Sequence, residues 1–485
     1  MLKNILDSFK KFNSINLQIN KTIANWIVGI LIFSGIVIII WNANWTFGDD
    51  IQFMCTTAIR NPIFHAFGNG RFFPLGSADY NILLAIPFGH TITAHLIWNS
   101  ILFLICAIVI FNYLKKITNN DYLVSVICFV IMICSAAFMR VNMLTFFPEN
   151  VICLLFSVFI LCVWNGESRQ LTKYYIYALI SAIYVTYVKE PVFGVFLIIA
   201  FTRLLFGFRY LSQKDKNFYY ALITNSIIYL IVYFYLCFCT FPTQFYNEGR
   251  CFSRGMELFF KQLDFEPILI IVVILSIMRL YYVNKEANKN RLFFDSLLFA
   301  AVGYFFAFYI LNLCDDYYVL PCVFLSIPSF AYWLHYFRRQ KMLFIGCSFF
   351  LLLFAYRDSH VSVKTVENIL RARRNDMTVV NYLCDRLREG KKIVNVVLDN
   401  ADPRFSFVRD DNMNKWNFFI TFVFNGIKVP IKQVNKLDSV DENTIVLFQT
   451  RGQSIEDLLS QAKMKNFFLH SQVADTKIYV SRATL

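Results

Sequence analysis

Two adjacent carboxylates, Asp49 and Asp50, follow the first long apolar segment of the chain, in the stretch WTFGDDIQFM. Neighbouring acids repel each other, and this repulsion raises the pKa of one of them. Carboxylates are also costly beside lipid, so a pair at this place needs a reason. A carboxylate within reach of a hydroxyl group can act as a general base and take its proton. The doublet is therefore the leading candidate for catalytic chemistry in this sequence.

Other charged residues that border the apolar segments have the side-chain types of a phosphate site. Lys189 and Glu190 lie in YVKEPVF, and Arg71 lies in GNGRFFPLGS, where glycines permit tight turns. Cations of this kind can stabilise a departing phosphate. The remaining candidates for substrate binding are Arg140, Glu149, Arg250, Arg254, Asp315 and Asp316. Each of these charges could instead cap a helix at a membrane surface, and the sequence leaves both interpretations open.

The composition excludes an ordinary soluble protein. Of the 485 residues, 57% are hydrophobic and only 16% are charged, against about 25% in a typical soluble domain. The mean hydropathy is +0.51. Since a helix needs about 20 apolar residues to cross the hydrocarbon core, the long apolar runs predict a polytopic α-helical membrane protein. We expect about eleven spans, at residues 22–41, 92–113, 122–139, 145–164, 174–188, 192–208, 218–241, 265–283, 293–313, 317–337 and 342–356.

The positive charges between the spans predict the orientation of the chain. With the N-terminus inside, the inner segments hold 18 Lys and Arg residues and the longer outer loops hold 7. Because cytoplasmic loops carry the excess of Lys and Arg, this orientation is the one expected. The loop 42–91 and everything after residue 356 are then outside. Membrane anchoring also explains the net charge of +14, so no nucleic-acid partner is expected.

The sequence divides into a transmembrane domain, residues 1–356, and a C-terminal segment, residues 357–485. The outer loop 42–91 is rich in aromatic residues and predicts short amphipathic helices on the membrane surface. After a charged helical stretch, turn signals separate five β-like runs, at 392–398, 418–424, 444–449, 467–473 and 477–482. About 130 residues suffice for a small α/β domain, which we expect on the outer face.

Taken together, these features resemble the GT-C superfamily of membrane glycosyltransferases, which use polyprenyl-phosphate-linked sugars. The resemblance lies in the N-inside first span, the outer acidic pair Asp49–Asp50, the interfacial helices, the eleven or so spans, the Lys-Glu-Pro at 189–191 and the outer C-terminal domain. Within the superfamily the chain is most similar to the O-antigen-modifying glucosyltransferases of bacteria and phages. The resemblance implies an enzyme of the bacterial inner membrane that moves a sugar, expected to be glucose, to a lipid-linked glycan such as O-antigen.

The same resemblance implies roles for individual residues. An inverting single displacement needs a base for the acceptor hydroxyl, and the first acid of such a pair, here Asp49, takes that role with Asp50 supporting it. Arg71 and Lys189 would contact the donor phosphate. Some members bind Mg²⁺ or Mn²⁺ at the acidic pair and others need no metal, so metal use stays open. The chain itself shows no metal-ligand spacing of Cys or His.

Two other functional classes stay open beside the glycosyltransferase. A flippase or other transporter of lipid-linked sugars would place paired charges near the middle of its spans and would show repeat symmetry. The candidate charges lie instead at the predicted outer rim, and no repeat is evident. A glycan polymerase or ligase would use the same donors but would rely on Arg and His in large outer loops. A purely structural membrane protein is the last alternative.

Overall fold

The chain is a helical protein with one small β-sheet near its C-terminus. The computed structural model describes residues 18–44, 72–89, 91–145, 147–236, 252–283, 288–311, 316–388, 395–398, 432–433, 444–449, 467–473 and 476–481. The chain forms two compact units. The first comprises Met1–Ile39, Phe64–Asp79 and Ile97–Val366, and the second comprises Ile40–Ile63, Tyr80–Leu96 and Glu367–Leu485.

The described helices follow the apolar runs of the sequence. They are α1 Lys21–Ile40, α2 Ala78–Leu84, α3 Ile92–Ile117, α4 Tyr122–Cys134, α5 Ala136–Met143, α6 Glu149–Arg169, α7 Thr172–Thr186, α8 Val192–Gly207, α9 Gln213–Phe234, α10 Phe252–Phe265, α11 Ile268–Tyr282, α12 Lys289–Leu311, α13 Leu320–Phe337 and α14 Lys341–Arg388. Two short 3₁₀ turns, Phe208–Tyr210 and Asp316–Val319, follow α8 and precede α13. In the first unit α6 packs on α7, α12 packs on both α8 and α13, and α8 packs on α9.

Eight of the described helices are long and apolar enough to cross a membrane, and the bent pair α4–α5 brings the number to nine at most. This makes the chain a multi-pass membrane protein. Each of the eleven spans predicted from the sequence coincides with one of these nine or with α7 or α11. Those two helices have only 15 residues each, a rise of about 22 Å against a hydrocarbon core of about 30 Å. The number eleven therefore stays a prediction.

A polar cap explains the break between α4 and α5. Ser135 has extended backbone angles, and its hydroxyl accepts a hydrogen bond from the Phe138 amide at 3.2 Å, which starts a new helix. The two helices meet at a bend of 60°. At the other end of α4, Asp121 caps the first turn through the Val124 amide. The third predicted span is thus two helices, because a serine inside the apolar run competes for the backbone.

Two further helices differ from the sequence predictions. The sequence predicts a loop between the spans 218–241 and 265–283, yet the helix α10 occupies Phe252–Phe265. Phe259 of α10 lies 5.1 Å from Phe305 of α12, measured between ring centroids, so the helix rests its apolar side on the bundle. The last span was expected to end at residue 356, but α14 runs unbroken for 48 residues to Arg388. The boundary between the two compact units falls inside this helix.

The C-terminal sheet has five described strands in the order β2-β1-β3-β5-β4. They are β1 Asn395–Leu398, β2 Lys432–Gln433, β3 Thr444–Gln449, β4 Phe467–Val473 and β5 Thr476–Ser481. β1 runs parallel to β2 and β3, while β5 runs antiparallel to β3 and β4. Four of the five β-like runs of the sequence become strands, and the run at 418–424 lies outside the described residues. The division into domains at residue 356 stays a prediction.

A buried polar network joins four helices of the first unit. The Arg203 guanidinium of α8 is fully buried, and its Nη2 lies 2.6 Å from both carboxylate oxygens of Glu167 on α6. Tyr219 of α9 donates to Glu167 at 2.5 Å and accepts from Arg203 Nε at 3.1 Å. Arg203 Nη1 also donates to the Lys289 carbonyl of α12 at 2.7 Å. Arg203 is one of the 18 inner Lys and Arg residues that the sequence assigns to membrane anchoring, but in the fold it connects helices inside the bundle.

We expect Arg203→Met to destabilise the protein by about 3–5 kcal/mol, because it leaves the Glu167 carboxylate buried without its partner. The measurement is the thermal unfolding midpoint of purified protein in detergent. Arg209→Met is the matched control, since Arg209 is exposed in the adjacent 3₁₀ turn. The double variant Glu167→Gln with Arg203→Met should regain part of the loss. Equal midpoints for the Arg203 and Arg209 variants would show that the network does not hold the helices together.

Candidate functional site

The turn between α7 and α8 buries a lysine. Lys189 is only 6% exposed, and its Nζ forms an ion pair with Oε1 of Glu149. Glu149 is the first residue of α6 and is fully buried. Pro191 follows in the turn and starts α8, since proline has no N–H to satisfy and its φ suits a first turn. A charge taken out of water is costly unless it is paired, so the pair holds both groups in place.

Two tyrosines complete the surroundings of the lysine. Lys189 Nζ lies 5.2 Å from the ring centroid of Tyr317 and 4.5 Å from that of Tyr318, within the range of a cation–π interaction. Both tyrosines belong to the 3₁₀ turn Asp316–Val319 that leads into α13. Both tyrosine rings therefore lie next to the ammonium group that Glu149 neutralises.

A second cation lies next to the same Tyr317 ring. The Arg140 guanidinium, near the end of α5, lies 5.7 Å from the centroid of Tyr317. Phe147, just before α6, packs against the same ring at 4.5 Å. We name the group of Arg140, Glu149, Lys189, Tyr317 and Tyr318 the lysine cluster. It combines two cations with one buried carboxylate and two rings.

The lysine cluster lies where six helix ends meet. The helices α5, α7 and α12 end here, and the helices α6, α8 and α13 begin here. These are the ends that the Lys and Arg distribution assigns to the outer side. The cluster is thus located at the end of the bundle where the sequence analysis expects a membrane-surface site.

The segment that follows Arg71 is bound to the same end of the bundle. The Phe72 carbonyl accepts a hydrogen bond from the Tyr229 hydroxyl at 2.5 Å, and the Leu75 amide donates to the Tyr187 carbonyl at 3.0 Å. The rings of Phe72 and Tyr187 lie 6.0 Å apart in an edge-to-face arrangement. Tyr187 is two residues from Lys189 in the α7–α8 turn, so this part of the loop 42–91 contacts the turn that carries the lysine.

The structure brings together only some of the predicted site residues. Lys189, Glu149 and Arg140 share the lysine cluster, and Glu190 is half-buried in the same turn. For Arg254 and Asp316 only the backbone is described, in α10 and in the 3₁₀ turn before α13. The remaining predicted residues, Asp49, Asp50, Arg71, Arg250 and Asp315, lie outside the described residues. Their membership of the site stays a prediction.

Sequence reasoning did not single out the tyrosines of the cluster. Tyr317 and Tyr318 follow the acidic pair in CDDYYVLP, where aromatic residues are also typical of a membrane interface. The sequence did contain a signal for this contact. Two tyrosines start the predicted span 317–337, and a single lysine lies between the predicted spans 174–188 and 192–208, on the same predicted side of the membrane. A second missed contact is the 2.9 Å hydrogen bond from the Trp98 indole to Asp79, which joins α3 to the start of α2.

The chemistry of the lysine cluster suits an anion that arrives from outside the protein. Glu149 already neutralises Lys189. A negatively charged ligand group at this point would therefore share the lysine with Glu149 or replace Glu149 as its partner. Arg140 supplies a second charge and a planar guanidinium that can bind two oxygens at once. Among the described residues, no group of three or more His, Cys, Asp or Glu side chains could hold a metal ion.

A cavity of about 530 Å³ lies at the opposite helix ends, lined by Asn20, Lys21, Asn120, Asp121, His335 and Arg338 among others. Two of its charges form an ion pair. Arg338 Nε donates to Asp121 at 2.8 Å. Burial by itself raises the pKa of the Asp121 carboxyl, but the nearby His335 and the charge of Arg338 outweigh burial, so the pKa lies below its usual value. The ion pair thus connects the start of α4 to the end of α13.

Comparisons with known proteins give a limited result. No protein-family profile matches the chain, and no curated protein matches it. Among solved structures, the chain is similar to ArnT from Cupriavidus metallidurans bound to undecaprenyl phosphate, with 9% sequence identity and a TM-score of 0.49. The similarity covers 95% of this chain and 99% of that chain. At this identity and TM-score the likeness carries no functional conclusion.

Proposed function

We propose that the protein is a GT-C glycosyltransferase that moves a sugar, glucose by preference, from a polyprenyl-phosphate donor to a lipid-linked glycan such as O-antigen. The reaction takes place at the outer face of the bacterial inner membrane. The observation that carries the proposal is the lysine cluster, in which a buried, ion-paired Lys189 lies close to Arg140 at the membrane-surface end of the helices. A lipid phosphate lies at that depth while its tail stays in the bilayer.

In the proposed mechanism the donor phosphate binds to Lys189 and Arg71, with Arg140 close by. Asp49 takes the proton from the acceptor hydroxyl as its oxygen attacks the anomeric carbon of the sugar. The bond from that carbon to the phosphate oxygen breaks, and the polyprenyl phosphate leaves with the electron pair. Lys189 and Arg71 stabilise the charge that develops on the phosphate. Asp50 supports Asp49, and the single displacement inverts the anomeric configuration.

A transporter of lipid-linked sugars is the second candidate, because the bent pair α4–α5 resembles the broken helices of transporters. The position of the buried charges favours the enzyme. Glu149 and Glu167 lie at the first and third-last residues of α6, and Arg279, whose Nε lies 2.9 Å from Asp295, is close to the end of α11. These pairs therefore lie near helix ends and not at mid-span.

Reconstituted vesicles separate the two candidates. They contain the protein and radiolabelled polyprenyl-phosphate glucose, with or without a lipid-linked glycan acceptor. A transferase consumes the donor only when the acceptor is present. A transporter moves the donor between the leaflets without breaking it, whether or not an acceptor is added. Movement of intact donor without any transfer would replace the proposed function by transport.

The orientation predicts labelling from outside the cell. A cysteine introduced as Ser454→Cys in the C-terminal segment should react with a membrane-impermeant maleimide in intact spheroplasts. Ser168→Cys is the matched control. Ser168 is exposed near the C-terminal end of α6, which the predicted topology places inside the cell, so it should react only after permeabilisation. The native chain, which has 13 cysteines, gives the background. Labelling of Ser168→Cys but not of Ser454→Cys in intact cells would invert the topology.

A further inference from the structure

Two buried polar atoms beside the lysine cluster have no hydrogen-bond partner among the described residues. One is Glu149 Oε2, the carboxylate oxygen that does not face Lys189, and the other is the hydroxyl of Tyr304 on α12. Glu149 is fully buried and Tyr304 is 1% exposed. Buried polar groups in folded proteins are nearly always paired, so two unpaired groups in one place point to a ligand that pairs them.

The two atoms belong to one neighbourhood. The Tyr304 ring packs edge-on against Phe308 at 5.1 Å, and Phe308 stacks on Tyr318 at 4.7 Å. Tyr318 is the ring that faces the Lys189 ammonium. Glu149, Cys153, Glu190 and Tyr318 all lie close enough to the Tyr304 hydroxyl to act on it electrostatically.

The chemistry of these two atoms selects the kind of ligand group. A carboxylate oxygen only accepts hydrogen bonds, so it excludes an anionic oxygen and requires a donor. The tyrosine hydroxyl can donate to an acceptor. An alcohol group meets both needs, because it donates one hydrogen bond and accepts others. A sugar carries several such alcohol groups.

We propose that Glu149 Oε2 and the Tyr304 hydroxyl form a subsite that binds hydroxyl groups of the donor sugar, beside the phosphate held by Lys189. This inference rests on the proposed function. In the subsite a sugar hydroxyl donates to Glu149, and a sugar oxygen accepts from Tyr304. Each oxygen of Glu149 then has its own partner: Oε1 pairs with Lys189, and Oε2 accepts a hydrogen bond from the sugar.

The test compares the binding of bare and glycosylated lipids to purified protein in detergent. The ligands are polyprenyl phosphate alone and polyprenyl phosphate carrying glucose, galactose, mannose or N-acetylglucosamine. Tyr304→Phe removes only the hydroxyl. It should weaken the binding of at least one glycosylated lipid by about tenfold, the usual effect of one lost hydrogen bond, and leave the affinity for polyprenyl phosphate unchanged. Tyr309→Phe on the same helix is the matched control and should change neither affinity.

The outcomes separate the subsite from the proposed function, because binding is measured without transfer. If Tyr304→Phe changes the affinity for all four glycosylated lipids by the same factor as for polyprenyl phosphate, the hydroxyl serves the fold or a bound water and the subsite is overturned. A selective loss for a glycosylated lipid supports the subsite even where no transfer occurs. In that case the sugar would be bound for another purpose, and only the proposed function would fail.

Discussion

The Asp49→Asn variant is expected to insert into the membrane and bind the lipid-linked donor, yet to transfer sugar at least about a hundredfold more slowly than the native chain. Asparagine keeps the size of aspartate and can still form hydrogen bonds, but it cannot take a proton. The loss should therefore appear in kcat, while the affinity for polyprenyl-phosphate glucose changes little. The measurement is the initial rate of transfer at saturating donor, together with donor binding by the same preparation.

Asp50→Asn is the natural comparison, since it alters the other acid of the pair. We expect a smaller loss, because Asp50 raises the basicity of its neighbour through like-charge repulsion. If Asp49→Asn stays active and Asp50→Asn is inactive, the roles of the two acids are exchanged. If both single variants transfer sugar at nearly the native rate, the pair takes no part in the reaction, and the mechanism loses its base.

The Lys189→Met variant should weaken the use of the donor by about tenfold to a hundredfold, the effect of losing one charged hydrogen bond. The lysine is buried at the helix ends where the donor phosphate is proposed to bind, so its removal acts on the donor and not on the acceptor. The measurement is the dependence of the transfer rate on donor concentration. Arg71→Met should show the same pattern, because both cations are proposed to hold the phosphate.

Two further variants distinguish this effect from unfolding. Lys189→Met leaves Glu149 buried without its partner, so Lys189→Met combined with Glu149→Gln should recover stability but not the use of the donor. Lys261→Met removes an exposed cation of α10 and should leave donor dependence unchanged. A double variant with native donor dependence would exclude Lys189 from the phosphate site.

The positions of most helices can be predicted from the sequence, because they follow the hydropathy of the chain. Apolar runs such as 192–208 and 293–313 coincide with α8 and α12, since a buried or lipid-facing helix needs only length and apolar character. The run TIVLFQ coincides with β3, Thr444–Gln449, because a short run of β-branched and aromatic residues between turn signals marks a strand. These features depend on local sequence, and local sequence was sufficient.

The parts that could not be predicted depend on contacts between distant residues or on local competition. Glu149 and Lys189 are separated by 40 positions, and neither residue type by itself shows that the two will form a buried pair. Ser135 breaks the third span, although serine is common inside membrane helices, and only its cap on Phe138 reveals the break. The sequence predicts a span that ends at residue 356 and a charged helical stretch after it, but it does not show that the two form one unbroken helix, α14.

The most direct test of the central claim is the balance of products when the purified protein is incubated with polyprenyl-phosphate glucose and a lipid-linked O-antigen acceptor. The proposed function predicts that glucose appears on the glycan and free polyprenyl phosphate appears in equal molar amount, with the Asp49→Asn variant producing neither. The donor should stay intact when the acceptor is omitted. An unchanged donor in the presence of the acceptor, or consumption of the donor without any gain of sugar by the glycan, would contradict the assignment as a glycosyltransferase acting on these substrates.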